Sequence, residues 1–332
     1  MKTIRWAILG TGYIARRFAS DLKLAEGAVL TAVGSRTVST AQQFADECNV
    51  PHYFGTYEEL AQCDDVDVVY VATPHTLHHQ NTLMCLNHNK AVLCEKPFAI
   101  NSRDTEEMIA LAQHKKLFLM DALWTKFHPH YKKMLDMVKE GALGDVKLVL
   151  SNFGYVVTPE HSTRLLDPAL GGGSILDIGI YNIFTTLDVL GVPDKIDVKV
   201  IATEHGIDEQ CAITFSYNNG AMASLFSTFR TTLATEAEIC GTKARLKLTP
   251  DFYTAACNVE LYADGTKQDI PVERENGFGY QYEARHVNEC LRAGLTESPV
   301  VPHEYTLMLM GILDKIRGLA GVVYAEDKYF GL

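Results

Sequence analysis

The sequence is short of several things. Among its eight cysteines (Cys48, Cys63, Cys85, Cys94, Cys211, Cys240, Cys257 and Cys290) there is no Cys-x-x-Cys pair, and none pairs with a nearby histidine at zinc spacing. That excludes a disulfide framework or a structural zinc site as the expectation; the thiols read as reduced. Positive charge is in deficit: 30 Lys and Arg stand against 41 Asp and Glu, a net charge of −11. Phosphate neutralisation wants a basic face, so no nucleic-acid partner is expected. There is no run of about 18 apolar residues, and no membrane span is expected. The opening "MKTIRWAILGTGYIARRF" has only a short apolar stretch and no small-residue cleavage pattern, so a cytoplasmic location is expected. Internal repeats, low-complexity segments and an obvious linker are also missing.

What remains is ordinary globular composition, 47% apolar and 21% charged over 332 residues, enough for about two domains. The first third alternates strand-like and helix-like segments. Strands are expected at 3–9, 28–35, 66–72, 91–97 and 117–123, and helices at 13–25, 39–48, 76–88 and 102–115, the last capped by Ser102. The run "VDVVYVA" is apolar throughout, as in a parallel strand buried on both faces. This alternation predicts a doubly wound parallel sheet, an α/β Rossmann domain over residues 1–123. After residue 124 the pattern changes. A helix near 126–140 precedes strands at 145–157, 195–204 and 210–229, the last folded at Asn218-Asn219-Gly220, an inexpensive source of positive φ. More strands near 234–249, 256–263 and 267–272, and helices near 280–293 and 303–319, complete an α+β domain with a large, mostly antiparallel open sheet, 124–332.

Residues 10–15, "GTGYIA", follow the first strand and open the first helix. This is the G-x-G-x-x-A form of the dinucleotide fingerprint. Gly10 allows the tight turn, Gly12 lets backbone approach a pyrophosphate, Tyr13 and Ile14 start the helix, and Ala15 permits close helix–strand packing. At the end of the second strand an NAD enzyme carries Asp or Glu for the ribose 2′-hydroxyl. Here the residues are Ser35-Arg36-Thr37, which suit a 2′-phosphate and favour NADP. Thr73, Pro74 and His75, with His78 just beyond, follow another strand end, where the nicotinamide half would lie. The histidines there have no carboxylate partner nearby, and no metal is expected.

Glu95-Lys96-Pro97 ends the next strand at the same sheet edge, making Lys96 the best catalytic candidate of the first domain. In the second domain, "GGGSILDIGIY" runs three glycines into a segment read as a helix over 174–190, with Asp177 and Tyr181 four residues apart on one face. Taken together, Gly10-x-Gly12-x-x-Ala15, Glu95-Lys96-Pro97 and Gly171-Gly172-Gly173-x-x-x-Asp177-x-Gly179-x-Tyr181 resemble the glucose-fructose oxidoreductase / inositol dehydrogenase / MocA family, in order and spacing over nearly the whole chain. Many members have His at the position of Tyr181. Tyrosine there, "DALWTKFHP" (121–129) and "CGTKARLKL" (240–248) are similar to the dihydrodiol dehydrogenase group, also described as NADP-dependent D-xylose dehydrogenases.

The resemblance implies hydride transfer between NADP and a sugar, polyol or trans-dihydrodiol hydroxyl. Tyr181 would be the acid/base. A phenol titrates near pH 10 when free, and the ammonium of Lys96 would favour phenolate. Asp177 would orient Lys96 or a substrate hydroxyl. Softer expectations place Trp124 against cofactor and substrate, and Phe127, Phe153 and Phe278 against substrate, with His128, Tyr155 and Tyr280 close to them. The resemblance also implies a homodimer through the open sheet. Two other readings stay open: a non-catalytic NADP-binding sensor, and a sugar–sugar oxidoreductase that keeps its NADP bound.

Overall fold

The computed structural model describes residues 2–158, 160 and 164–329. The chain forms two compact units: Met1–Trp124 with Glu275–Met310, and Thr125–Arg274 with Gly311–Leu332. The division expected from sequence, 1–123 and 124–332, differs in two respects: Trp124 and residues 275–310 fall in the first unit, not the second.

The first unit begins with β1 (Ile4–Leu9), α1 (Tyr13–Leu22), β2 (Ala28–Gly34), α2 (Val38–Cys48), β3 (His52–Phe54) and α3 (Tyr57–Ala61). It continues with β4 (Val68–Val71), α4 (His78–Asn87), β5 (Ala91–Glu95), α5 (Ser102–Lys115) and β6 (Leu119–Ala122). The strands form one parallel sheet in the order β3-β2-β1-β4-β5-β6. All four residues of β4, Val-Val-Tyr-Val, are buried, as its unbroken apolar run required. Chain order reverses between β1 and β4, so the crevice at their carboxyl ends is the topological switch point. The short edge strand β3 and helix α3 were not foreseen. The cap of α5 is Asn101 rather than Ser102: its Oδ1 accepts from the Asp104 amide at 2.9 Å, and Ser102 is already helical.

The second unit holds α6 (Pro129–Lys139), β7 (Val146–Gly154), α7 (Ile180–Leu190), β8 (Lys195–Ala202), β9 (Asp208–Ser216) and β10 (Met222–Thr228). Then follow β11 (Ala237–Gly241), β12 (Arg245–Leu248), β13 (Val259–Ala263) and β14 (Thr266–Ile270). Eight strands pair in the order β14-β13-β12-β11-β7-β10-β9-β8. Every pairing is antiparallel except β7 with β10. Alternation sets the faces. Along β10, Ala223, Leu225 and Ser227 are buried while Met222, Ser224 and Phe226 are exposed. Helix α7 covers the buried face: Asn182 donates to the Phe226 carbonyl at 2.9 Å and accepts from the Ser151 hydroxyl at 2.7 Å. The apolar stretch Pro168–Leu190 has the length and composition of a membrane span, but most of it is buried inside this unit. A buried ion pair, Lys126 Nζ to Asp188 at 2.6 Å, with the Tyr131 hydroxyl donating to the same carboxylate, ties the start of the unit to α7. Helix α8 (Tyr280–Arg292) belongs to the first unit, and α9 (His303–Ala320) runs on from the first unit into the second.

Candidate active site

The fingerprint loop has the shape its residues predict. Gly10 adopts φ +110°, and a Cβ there would stand 2.6 Å from the Ala72 carbonyl oxygen, so no side chain fits. Gly12 precedes the first turn of α1, and a Cβ on it would meet nothing within 4 Å. This is the open approach that a pyrophosphate needs, beside the unpaired amides of a helix N-terminus. Ala15 is fully buried against the sheet. Tyr13 is exposed, and the Arg17 guanidinium lies over its ring at 4.4 Å; Ile14 is half-buried.

At the end of β2, Ser35 is buried and its hydroxyl lies 2.6 Å from that of Thr40. Thr37 caps α2, accepting from the Thr40 amide at 3.3 Å. Arg36 is exposed beside this helix N-terminus, and no Asp or Glu occurs between residues 28 and 45. These residues fit a 2′-phosphorylated dinucleotide: a cation and a helix start face the position, and no fixed carboxylate repels it.

Thr73 and His75 are buried after β4, with Pro74 half-buried between them. His78 differs from expectation. It is fully buried, with Nδ1 2.8 Å from the Pro97 carbonyl and Nε2 2.8 Å from the Thr73 carbonyl. It therefore braces two loops at the sheet edge instead of presenting a ring nitrogen to a cofactor. Glu95 also has a bracing part. The buried Tyr70 hydroxyl donates to its Oε1, and the Lys96 amide donates to its Oε2 at 3.2 Å. Lys96 follows, half-buried, joined to Pro97 by a cis peptide bond. Burial drives the Tyr70 hydroxyl well above its usual range, with the Glu95 charge adding to the shift.

Trp124 stacks on Tyr280, ring centroids 4.3 Å apart at 9°, within the first unit. Phe278 lies in this unit too, exposed, with the Arg17 guanidinium 4.4 Å from its ring. The backbone around it is held by Asp21, whose carboxylate accepts from the amides of Phe278, Gly279 and Tyr280 at 2.8, 2.8 and 3.0 Å. Phe278 is thus anchored on α1, the helix that carries the fingerprint loop.

In the second unit the expected single helix over 174–190 is two pieces. Ile175–Gly179 forms a wide π-helical turn and α7 starts only at Ile180. Such turns recur at functional sites because they re-aim side chains. Asp177 sits in the wide turn and Tyr181 in the first turn of α7. Arg164 donates to Asp177 Oδ1 at 3.1 Å, and the Tyr155 hydroxyl reaches Oδ2 at 3.5 Å. Burial raises the Tyr155 hydroxyl well above its usual value, with the Asp177 charge acting in the same direction. Tyr181 is packed among Phe153 (5.6 Å between centroids), Phe184 (5.6 Å) and Tyr253 (5.3 Å). Phe153 in turn lies 4.4 Å from Tyr253. Sequence reasoning found Asp177, Tyr181, Phe153 and Tyr155, and the structure brings these four together. It missed Arg164, in a short 3-10 turn (Arg164–Leu166), and Tyr253, in a turn between strands, neither of which has a local sequence pattern. Phe127 and His128 are buried in this unit, and the His128 ring centroid lies 5.4 Å from that of His130. Lys96 is carried by the first unit and Asp177 and Tyr181 by the second.

A dinucleotide fold followed by a mostly antiparallel sheet, whose covering helical segment carries an acid and a phenol, defines a two-domain oxidoreductase. Residues 4–122 match the oxidoreductase family with NAD-binding Rossmann fold, and residues 131–247 match the GFO/IDH/MocA C-terminal domain. The chain belongs to the GFO/IDH/MocA family of oxidoreductases. It is 35% identical over 336 residues to the trans-1,2-dihydrobenzene-1,2-diol dehydrogenase of Homo sapiens, covering 98% of this chain and 99% of that protein. It is 37% identical over 330 residues to the enzyme of the same name from Xenopus laevis, covering 96% and 99%. Among solved structures, the aldose-aldose oxidoreductase of Caulobacter crescentus complexed with glycerol superposes with a TM-score of 0.88 at 25% identity, covering 96% of this chain and 98% of that one. The fold is shared with KijD10, a 3-ketoreductase from Actinomadura kijaniata, at a TM-score of 0.82 and 24% identity over 96% of this chain and 98% of that one.

Proposed function

We propose that this chain is an NADP-dependent dehydrogenase or reductase that acts on a ring bearing vicinal hydroxyls, a trans-dihydrodiol or a sugar, with Tyr181 as the acid/base. The observation that carries the reading is the surroundings of Tyr181. A phenol stands within an aromatic wall of Phe153, Phe184 and Tyr253, one helical turn from a carboxylate held by Arg164 and Tyr155. Aromatic faces suit the C–H face of a ring, and a fixed carboxylate accepts from its hydroxyls. The dihydrodiol dehydrogenases, related along almost their whole length, support the same substrate class.

When bound, NADP supplies the hydride acceptor at its nicotinamide. Arg36 would hold the 2′-phosphate, and the amides at the start of α1 would hold the pyrophosphate. In oxidation Tyr181 would take the hydroxyl proton at its phenolic oxygen as the substrate alcohol becomes a carbonyl, the bound nucleotide supplying the hydride acceptor. We propose Lys96, as the family resemblance implies, as the residue that assists this proton transfer. Asp177 fixes a neighbouring hydroxyl. In reduction the proton returns from Tyr181.

The test is nicotinamide absorbance over time, with NADP⁺ and NAD⁺ separately, against a trans-dihydrodiol, aldoses and inositols, and NADPH against the matching carbonyls. Tyr181→Phe runs alongside. Turnover with NADP⁺ or NADPH that falls by about 10²-fold or more in the variant, with NADP⁺ binding kept, is expected. Unchanged turnover in the variant refutes the role of Tyr181, and absence of turnover with nucleotide bound refutes the enzyme reading.

We also propose that the open sheet face pairs with a second copy of the chain. Leu150, Met222 and Phe226 stand exposed on it, apolar groups on adjacent strands. Sedimentation equilibrium should give a dimer, and Phe226→Lys a monomer; a wild-type monomer at micromolar concentration refutes it.

A further inference from the structure

Three glycines and a wide helical turn make a weak platform for Asp177 and Tyr181. Glycine has the highest backbone freedom, and π turns are less favourable than α turns. A one-residue change of register in that turn would rotate a side chain by roughly 100° about the helix axis. Something must hold it.

The structure shows two anchors on the loop, one at Ser174 and Ile175 and one at Gly172. The first comes from β9. Asp208 is fully buried, and its Oδ2 accepts from the Ile175 amide at 2.6 Å and from the Ser174 hydroxyl at 2.8 Å. Ser174 Oγ is also 2.9 Å from Ser227 Oγ on β10, and a Cβ on Gly179 would lie 3.2 Å from that same Ser227 oxygen. The network therefore touches both ends of the wide turn. Asp208 Oδ1 is buried with no hydrogen-bond partner among the described residues. A Cβ on Gly173, which has φ +122°, would stand 2.5 Å from that oxygen and 2.9 Å from the Tyr324 hydroxyl. Gly173 is thus the place where both anchors press on the loop.

The second anchor comes from the chain's C-terminal segment. The buried Tyr324 hydroxyl donates to the Gly172 carbonyl. Tyr324 is itself locked: its amide donates to Asp327 Oδ2 at 2.9 Å, and Arg317 from α9 donates to the same oxygen at 2.5 Å. A buried carboxylate that accepts from two fixed donors is a stiff, directional clamp, and charge-assisted bonds of this kind are the strong ones.

We propose that Asp208 and Tyr324 are positioning residues for the reaction: together they fix the glycine loop so that the wide turn presents Asp177 and Tyr181 to substrate. The kinetic part rests on the proposed function above; the structural part does not. Neither residue touches the Tyr181 ring cluster among the contacts described, so their effect passes through the backbone of residues 172–179.

The experiment compares Asp208→Ala, Asp208→Asn and Tyr324→Phe in the full chain by two readouts: amide hydrogen exchange, and turnover with NADP⁺ and the best substrate of the panel. In Asp208→Ala, exchange should quicken about tenfold or more across residues 174–182 while β9 and β10 keep their protection. Its kcat should fall about tenfold or more while KM for NADP⁺ stays within about twofold. Asp208→Asn keeps an acceptor oxygen at the same place and should recover most of both. Tyr324→Phe should quicken the same amides to a smaller degree. Unchanged exchange at 174–182, exchange raised equally throughout the sheet, or a loss of kcat that Asn fails to rescue would each overturn the proposal. If Asp208→Ala does not fold, Ser174→Ala and Tyr324→Phe carry the same two readouts. If the wild type turns nothing over, the proposed function falls, and the exchange result still decides this inference.

Discussion

Arg164 donates to Asp177 across 3.1 Å, joining a half-exposed guanidinium to a carboxylate that is only 7% exposed. The pair converts what the sequence presents as a lone acid into a charge with a fixed direction. Removing Arg164 takes from Asp177 the shorter of these two bonds while the carboxylate stays buried. A lost charge-assisted bond is worth about 1.5–3 kcal/mol. Arg164→Ala is therefore expected to lower kcat/KM by about ten- to a hundredfold, with the Kd for NADP⁺ unchanged. Steady-state kinetics and nucleotide titration check both halves. A weakened nucleotide with intact substrate KM would remove Arg164 from the substrate side.

Glu283, on α8, carries a different expectation. It is fully buried, and neither carboxyl oxygen has a hydrogen-bond partner among the described residues. Burial, then the charges of Glu95 and Asp121, push its pKa well above the usual carboxylate range. A raised folded-state pKa means the native chain holds a proton that the unfolded chain releases above about pH 4.5. Its stabilising contribution is full below that pH and is lost as pH climbs toward the folded-state value, at a slope of about 1.4 kcal/mol per pH unit. Glu283→Gln mimics the protonated acid and has no such slope. The variant's Tm should exceed that of the wild type by more at pH 8 than at pH 5. Asp208, which burial raises to about 6, titrates in both proteins and cancels in the difference. A gap that shrinks from pH 5 to pH 8 would show Glu283 ionised in the native state.

The parts of this molecule that were legible in the sequence are those with a local period or a local steric demand. The parallel strands β1, β4 and β5 show as apolar runs, and Gly10 and Gly12 show by their spacing. The wide turn at 175–179 was not legible, because its apolar spacing is also that of an α-helix and its anchors, Asp208 and Tyr324, are 33 and 149 residues away from residue 175. Arg164 and Tyr253 were hidden for a related reason: one opens a short 3-10 turn, the other lies in a turn between strands, and only the fold brings them to Asp177 and Tyr181. The part His78 plays was also not legible: its position beside Thr73 and Pro74 suggested a cofactor contact, and only the fold shows its ring nitrogens facing the Pro97 and Thr73 carbonyls.

The proposed preference for NADP rests on Arg36, exposed at the end of β2 with α2 starting at Val38. A guanidinium and a helix N-terminus both attract a dianionic 2′-phosphate, and neither gains from a ribose hydroxyl. Arg36→Ala should raise the Kd for NADP⁺ by about ten- to a hundredfold and leave that for NAD⁺ within about threefold. Adding the missing carboxylate, Ser35→Asp with Arg36→Ala, should move preference toward NAD⁺. Fluorescence titration with both nucleotides measures this, and equal weakening of the two would refute the assignment.

Asp21 decides where residues 275–310 belong. Its carboxylate, 1% exposed on α1, accepts from three consecutive amides at the start of α8, those of Phe278, Gly279 and Tyr280. These are the donors that a helix N-terminus leaves unpaired, and here the capping group comes from 257 to 259 residues away. Trp6 adds a second tie, donating from Nε1 to Asn288 at 2.9 Å. Without the carboxylate, the Phe278 and Tyr280 amides lose their acceptor and Gly279 keeps Gln281 Oε1 at 3.1 Å, a cost of about 2–4 kcal/mol after partial hydration. Asp21→Ala should lower the denaturant midpoint by that amount with an unchanged m-value, and Asp21→Asn, which keeps one acceptor oxygen, by about half. The same Asp21→Ala change frees Phe278 from its place over Arg17 and should loosen nucleotide binding more than substrate KM. Stability equal to the wild type would mean that α8 is held to the sheet by its apolar face alone.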